Sequence, residues 1–163
     1  METNVDGSRN AALGYGALRT MDPASATDTY NTAIGYAAGA SLTTGAYNTI
    51  LGGDAGAGAA LTGDRNTFVG YYAGRPTTSG HRNVAVGSVA GQALTTGEHN
   101  VFVGNNAGGS ITSEDYNTFV GSGAGDVATA GELVAIGNEA LGSNTSGATN
   151  TAVGTRAMRD NVA

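Results

Sequence analysis

The chain has 163 residues, of which 13 are acidic and 7 are arginine, and its net charge is −6. Because phosphate binding requires clustered positive charge, this balance argues against a nucleic-acid partner. The absence of cysteine excludes disulfides and thiolate metal sites. No apolar run approaches the roughly 20 residues of a membrane-spanning helix, so we expect no membrane insertion. The first ten residues carry no apolar stretch typical of a secretory signal, and we expect none there.

One short motif recurs nine times along the chain. Its first residue, here called the anchor, is followed four residues later by Gly and seven residues later by Ala in every copy. The first two anchors are 21 residues apart and the later ones 16 to 18, which implies an insertion at 21–29. Helical repeats are longer than this and do not carry two fixed glycines, so the period predicts a β-structure. The anchors are Asn10, Asn31, Asn48, Asn66, Asn83, Asn100, Asn117, Leu133 and Asn150.

The five residues that start at each anchor predict a short β-strand. Their pattern, Asn-Thr-x-Val-Gly, is rich in β-branched residues and alternates. Gly then ends the strand, where the backbone must turn through a conformation that a side chain would penalise. These structural turn glycines are Gly35, Gly52, Gly70, Gly87, Gly104, Gly121, Gly137 and Gly154.

The second half of each unit, such as residues 41–45, predicts a second short strand and turn. Each unit is then one coil of a parallel β-solenoid, and nine coils stacked at strand spacing form a rod about 40 Å long. We expect the anchor Asn side chains to form a ladder and to bond to the backbone or to the next Asn.

Two positions of each strand are apolar in all nine copies. The residue three after the anchor (position +3) is always aliphatic, and we expect it to face the core of the coil. The residue two after the anchor (position +2) points to the opposite face, and a strand that is apolar on both faces is buried on both. We therefore expect a homo-oligomer, most simply a homotrimer around one axis. The expected interface residues at position +2 are Ile50, Phe68, Phe102 and Phe119.

Motifs such as Asn31-Thr-Ala-Ile-Gly35 and Asn83-Val-Ala-Val-Gly87 resemble the head repeats of trimeric autotransporter adhesins of the YadA type. Similar runs occur in phage tail fibres. The resemblance covers residues 10–158 and implies an all-β, left-handed parallel β-roll of about nine coils, three chains around one axis, and a role in attachment. It places the protein on a virion fibre or a cell surface. Residues 1–9 would then be an N-terminal cap or linker, and residues 159–163 a C-terminal tail.

The residue before each anchor (position −1) varies between coils and is often aromatic or cationic. Such side chains in one surface column can stack on sugar rings and bond to glycan hydroxyls, which makes the column a candidate receptor-facing stripe. In the alternative interpretation these groups merely stack on one another, as residues in solenoid columns ordinarily do. The candidate residues are Tyr30, Tyr47, Arg65, Arg82, His99 and Tyr116.

Catalysis has little support in the sequence. A hydrolase needs a base beside a nucleophile or an acid, and the only histidines, His81 and His99, fall at turn positions one coil apart. The adjacent carboxylates at 114–115 would face opposite ways on a strand. We therefore predict no enzyme activity, no catalytic residues and no cofactor.

Metal binding and ice binding are the remaining alternatives. Calcium-binding solenoids repeat Asp at one fixed position in every unit, whereas no position here carries Asp throughout the coils, so we predict no metal site. The residue after the anchor (position +1) is Thr in five of nine coils. A flat Thr face would suit ice or another ordered surface, although Val interrupts this column and an ordinary strand column explains it equally well.

Overall fold

The computed structural model describes residues 7–22 and 27–160, and in this part of the chain all regular elements are strands. Predictions for residues 1–6, 23–26 and 161–163, which belong to the expected cap, insertion and tail, lie outside the described residues. Among those described, no helix is long and apolar enough to cross a membrane. The strands are β1 (Gly7–Ser8), β2 (Ala11–Leu13), β3 (Thr27–Asp28), β4 (Thr32–Ile34), β5 (Thr49–Leu51), β6 (Thr67–Val69), β7 (Val84–Val86), β8 (Val101–Val103), β9 (Thr118–Val120), β10 (Val134–Ile136) and β11 (Thr151–Val153).

Nine of these strands form one parallel sheet. Its order is β2-β4-β5-β6-β7-β8-β9-β10-β11, so each strand pairs with that of the next coil. Equivalent residues of the motif are in register, as in Val84 opposite Val101 and Val101 opposite Thr118. This confirms the all-β parallel solenoid, with about eight turns between its nine strands. The short strands β1 and β3 pair separately and parallel, ahead of the first two coils.

From the second coil onward the structure has one regular strand per coil, so the predicted second strand is wrong for those coils. On that side, the strand-like pairings among the described residues are the short β1–β3 pair and an isolated bridge between Leu42 and Leu61. Coils are nevertheless joined there by backbone hydrogen bonds, such as Thr78 N to Thr95 O at 2.9 Å. Positive φ recurs at positions +6 and +8, for example +53° at Val89 and +59° at Gly91, in the turn that separates the strand from this side of the coil.

The two faces of the strands are the reverse of the prediction. Position +2, which includes the expected interface residues Ile50, Phe68, Phe102 and Phe119, is buried within a single chain in coils two to nine, and these four residues are fully buried. These four side chains are therefore core residues and cannot form a subunit interface. Position +3, expected in the core, points outward instead. The interior accommodates the large +2 side chains because glycine stands near them: a Cβ at Gly74 would lie 2.5 Å from the ring of Phe68.

The core of the rod consists of three side-chain columns. Position +2 is the first, and the Ala at position +7 is the second, buried in coils one to eight. The third lies mostly eleven residues after the anchor, where the first half of the insertion supplies Met21 for coil one. Full burial of such aliphatic side chains contributes roughly 1.5–3 kcal/mol each. The members of this third column are Met21, Leu42, Leu61, Thr77, Leu94, Ile111, Ala128 and Asn144, all fully buried.

A ladder of buried amides closes the core beside the strands, as predicted. The Oδ1 of Asn83 accepts a hydrogen bond from the peptide N–H of Asn100 at 3.0 Å, and its Nδ2 donates to the carbonyl of Gly97 at 2.8 Å. The rungs from Asn31 to Asn83 repeat this pattern. Because an unpaired buried amide costs about 1–3 kcal/mol, each rung holds the register of its neighbours.

The glycine at position +4 allows the coils to approach closely. Its φ lies between +128° and +139° in all nine coils, a region that side chains rarely adopt. A Cβ at Gly87 would also overlap the carbonyl oxygen of Gly104 in the next coil. Conformation and contact together explain why no other residue occurs in this column.

Candidate functional site

The outward face of the nine-stranded sheet is an apolar strip. It is built from positions +1 and +3, and the side chains at its two ends are the most open, with Leu13 68% and Val153 66% exposed. In the middle coils the same positions are half-buried by their neighbours. None of the nine strands contains a charged residue, although the chain carries a net charge of −6. We call this surface the outer strip. One of its two positions, position +3, was predicted from the sequence to lie in the core.

The position −1 column is an exposed ladder of stacked rings and guanidinium groups. Tyr30 and Tyr47 stack at 5.4 Å between ring centroids, and the guanidinium of Arg65 lies 5.4 Å from the Tyr47 ring. In a second run, the Arg82 Nη1 lies 3.4 Å from His99 Nε2, and the His99 ring stacks on Tyr116 at 5.0 Å. All six predicted residues thus lie in one surface column. They make the mutual contacts of the structural interpretation and remain partly exposed to solvent.

The N-terminal end of this ladder has a fixed charge. The Arg9 guanidinium lies 5.4 Å from the Tyr30 ring centroid, and its hydrogen bond to the Tyr30 hydroxyl and ion pair with Asp28 raise the pKa of Arg9 above its ordinary value. Every residue of the column has φ between +49° and +61°. Since non-glycine residues in this region are uncommon, the solenoid fixes each side chain at a tight corner just before its strand.

A second aromatic strip lies just after the strands, at positions +5 and +6. Tyr15 stacks on Tyr36 at 5.8 Å, and Tyr71 stacks on Tyr72 at 4.0 Å. The guanidinium of Arg75 lies 4.7 Å from the Tyr72 ring. The hydrogen bond between the two adjacent hydroxyls raises the pKa of Tyr71 above its ordinary value. Exposed tyrosines therefore flank the outer strip on both sides in the N-terminal half of the rod.

A polar cavity of about 290 Å³ lies on the same side as this strip, near the C-terminal end. Its charges are mostly paired with each other: Glu139 bonds Arg156 at 2.9 Å and Arg159 at 3.1 Å, and Asn106 donates to Asp126 at 2.5 Å. This cavity was not predicted, because its lining comes from several coils at positions outside the motif. The available signal was a polar residue at position +5 in each of coils six to nine.

The two histidines lie in contacts between neighbouring coils. His81 Nδ1 accepts the peptide N–H of Asp64 at 2.9 Å, and the His99 ring stacks on Tyr116. In residues 7–22 and 27–160, no group of three or more His, Asp or Glu side chains is placed to hold a metal ion. In comparisons with known proteins, no family model, no curated protein and no solved structure matches the chain.

Proposed function

We propose that this chain is a structural and adhesive segment of a homotrimeric fibre or head, carried on a virion or a cell surface, that attaches to a receptor. The observation that carries the proposal is the outer strip. It exposes an aliphatic side chain in every coil, in register along the whole rod. Soluble monomers rarely leave large contiguous apolar patches open to water.

Association along the outer strip is favourable for two physical reasons. It removes apolar surface from water, worth roughly 25 cal/mol per Å². It also brings no like charges together, because the strip is uncharged while the acidic residues lie elsewhere. The resemblance of the repeat to YadA-type heads favours three chains around one axis. The variable ladder at position −1 then remains available for a receptor.

Sedimentation velocity of the purified chain tests the assembly. We expect a mass three times the 16.0 kDa of the chain. Val103→Asp places a charge in the middle of the outer strip and should give a monomer. Val127→Asp is the matched control, because Val127 is an exposed valine outside the strands. A wild-type monomer, or a Val103→Asp protein that remains trimeric, would contradict the proposal.

Ice or another ordered surface is the second candidate, favoured by one observation. Thr32, Thr49 and Thr67 lie side by side on the outward face at strand spacing. The two functions exclude each other, since a strip covered by subunits cannot meet a surface. Strong inhibition of ice recrystallisation by a monomeric protein, lost in Thr49→Ala, would replace the trimer proposal.

A further inference from the structure

The stacked ladder at position −1 stops at Tyr116. Earlier rings are covered on both faces, as Tyr47 is by Tyr30 and Arg65. The Tyr116 ring stacks on His99 toward the preceding coil, but the next coil carries Glu132 at this position, which has neither a ring nor a guanidinium group. One face of the Tyr116 ring is therefore left without a stacking partner, and the residue is 60% exposed.

A second ladder stops in the next coil, at the residue two before the anchor. In three other coils the side chain at this position accepts the peptide N–H of the preceding coil. Asp115 Oδ1 does so for Glu98 at 2.7 Å. The equivalent residue for the peptide N–H of Asp115 itself is Gly131, which has no side chain. A Cβ at Gly131 would lie 3.1 Å from the carbonyl oxygen of Asp115 and 3.6 Å from that nitrogen, so glycine leaves the donor without the side-chain acceptor found in the other coils.

The two interruptions open into one cavity of about 370 Å³, lined by Asp115, Tyr116, Gly131, Glu132 and Ala148. This volume falls within the ordinary range of small-ligand sites. The cavity is lined by an aromatic ring and by the peptide N–H of Asp115 as a donor. Its acceptors are the carboxylate of Glu132 and the second oxygen of Asp115, whose Oδ1 already accepts the Glu98 N–H. Gly131 and Ala148 also line the cavity, and because both residues are small they leave its volume unfilled.

We propose that this notch binds a neutral pyranose residue of a glycan. The apolar C–H face of a sugar stacks on an aromatic ring, and its hydroxyls both donate and accept hydrogen bonds. They can donate to the two carboxylates while one accepts from the Asp115 N–H. An organic cation would also suit the ring and the carboxylates, but it has no acceptor and would cover that N–H unpaired. An acidic sugar would meet two carboxylates of its own sign.

This inference rests on the proposed adhesive function and names the ligand class that the receptor stripe recognises. Saturation-transfer NMR of the full chain with the methyl glycosides of glucose, galactose, mannose and N-acetylglucosamine provides the test. We expect at least one of them to bind. Tyr116→Ala, which removes the stacking platform, should weaken binding by about tenfold.

Gly131→Asp is the sharper variant because it fills the notch with the acceptor that Asp64 and Asp115 provide in their own coils. Its Cβ would lie 3.1 Å from the carbonyl oxygen of Asp115, which must shift by a few tenths of an ångström. We expect the variant to remain folded, as its thermal unfolding checks, while binding is lost. Tyr36→Ala is the matched control, because Tyr36 is also a stacked tyrosine and is 61% exposed, but lies outside this column. It should bind like wild type.

Three results would overturn the inference: none of the four glycosides binds, Gly131→Asp binds as well as wild type, or Tyr36→Ala weakens binding as much as Tyr116→Ala. Binding of tetramethylammonium in place of the glycosides would also overturn it, in favour of a cation site. Sedimentation of the same samples keeps the two proposals apart. A trimer that binds no glycoside contradicts the sugar site alone, whereas a monomer contradicts the proposed assembly whatever it binds.

Discussion

The side chains at positions +2 and +8 share space in the core. Coils with Phe or Ile at position +2 have Gly at position +8, whereas coils one, eight and nine combine Ala with Leu or Met. Coils two and five combine Ala with Gly, and there the next coil's Ile50 or Phe102 reaches the glycine.

Coil seven combines Phe119 with Gly125, and a Cβ at Gly125 would overlap the phenyl ring. Coil eight combines Ala135 with Leu141, and Leu141 is fully buried with φ of +49°. We predict that the double variant Phe119→Ala/Gly125→Leu is more stable than the sum of its single changes allows, because it turns the packing of coil seven into that of coil eight.

The magnitudes follow from burial. Phe119 is fully buried and stacks on Phe102 at 5.5 Å, so Phe119→Ala should lower the free energy of unfolding by about 3–5 kcal/mol. Gly125→Leu alone should cost about 2–4 kcal/mol, from overpacking against the ring and from a left-handed backbone. In the double variant the leucine fills the cavity left by the ring. The coupling free energy should therefore be at least about 2 kcal/mol in the stabilising direction.

Urea unfolding of the wild type, both single variants and the double variant gives the complete cycle, provided that all four are measured at one protein concentration. Coupling near zero would show that the two positions do not share space. It would also refute the assignment of position +2 to the interior, on which the outward direction of the outer strip depends.

Two further substitutions test other columns. Gly87→Ala and Gly154→Ala both place a side chain at strongly positive φ, but only at Gly87 would the Cβ overlap the next coil. We expect urea unfolding to show a loss at least about 2 kcal/mol larger for Gly87→Ala, and equal losses would contradict the role of close approach. Thr77 is fully buried in the leucine-rich third column, and its hydroxyl has no hydrogen-bond partner. Thr77→Val should therefore raise the free energy of unfolding by about 1 kcal/mol, and a loss in the same titration would disprove this.

The sequence was sufficient to predict the solenoid, its register and the Asn ladder, because each depends on a residue type with a specific backbone or hydrogen-bonding role. Gly at position +4 is required by its φ and by the adjacent coil, and the anchor amide bonds the next coil. Such constraints recur in every coil and are visible as invariant columns.

The direction of the strand faces was not predictable from alternation alone. Positions +2 and +3 are apolar in all nine coils, so the pattern does not distinguish inside from outside, and exchanging the faces reverses every side chain. The available signal was size. In seven of the nine coils a large residue at position +2 accompanies Gly at position +8, or Ala at position +2 accompanies a large residue there, whereas position +3 is uniformly aliphatic.

The candidate site was predictable in part for a similar reason. The position −1 column is evident from aromatic and cationic residues such as Tyr47 and Arg82, and their stacking follows from the register. The notch beside Tyr116 was not evident, because it arises where Gly131 and Glu132 interrupt two ladders at once. Gly131 and Glu132 can be recognised as interruptions only once the side-chain contacts at the same positions of the other coils are known.

Coil eight contains an exchange of two buried residues that tests the ladder directly. Its anchor is Leu133, and Asn144 stands in the leucine-rich third column, where its Nδ2 donates to Gly147 O at 2.8 Å. In coil five the anchor amide makes the equivalent bond to Gly97 O.

Leu133 has no side-chain oxygen. It therefore cannot accept a hydrogen bond from the peptide N–H of Asn150, as the anchor Asn of other coils does for the next anchor's peptide N–H. Restoring the common order with Leu133→Asn/Asn144→Leu should therefore stabilise the protein by about 1 kcal/mol. Each single change should instead lower the free energy of unfolding by about 1–3 kcal/mol. Leu133→Asn leaves two buried amides in a space that fits one amide and one leucine, and Asn144→Leu leaves two leucines there. Urea unfolding of all three variants tests this. If the double variant is no more stable than the single variants, the buried amide cannot be moved from the third column to the anchor position.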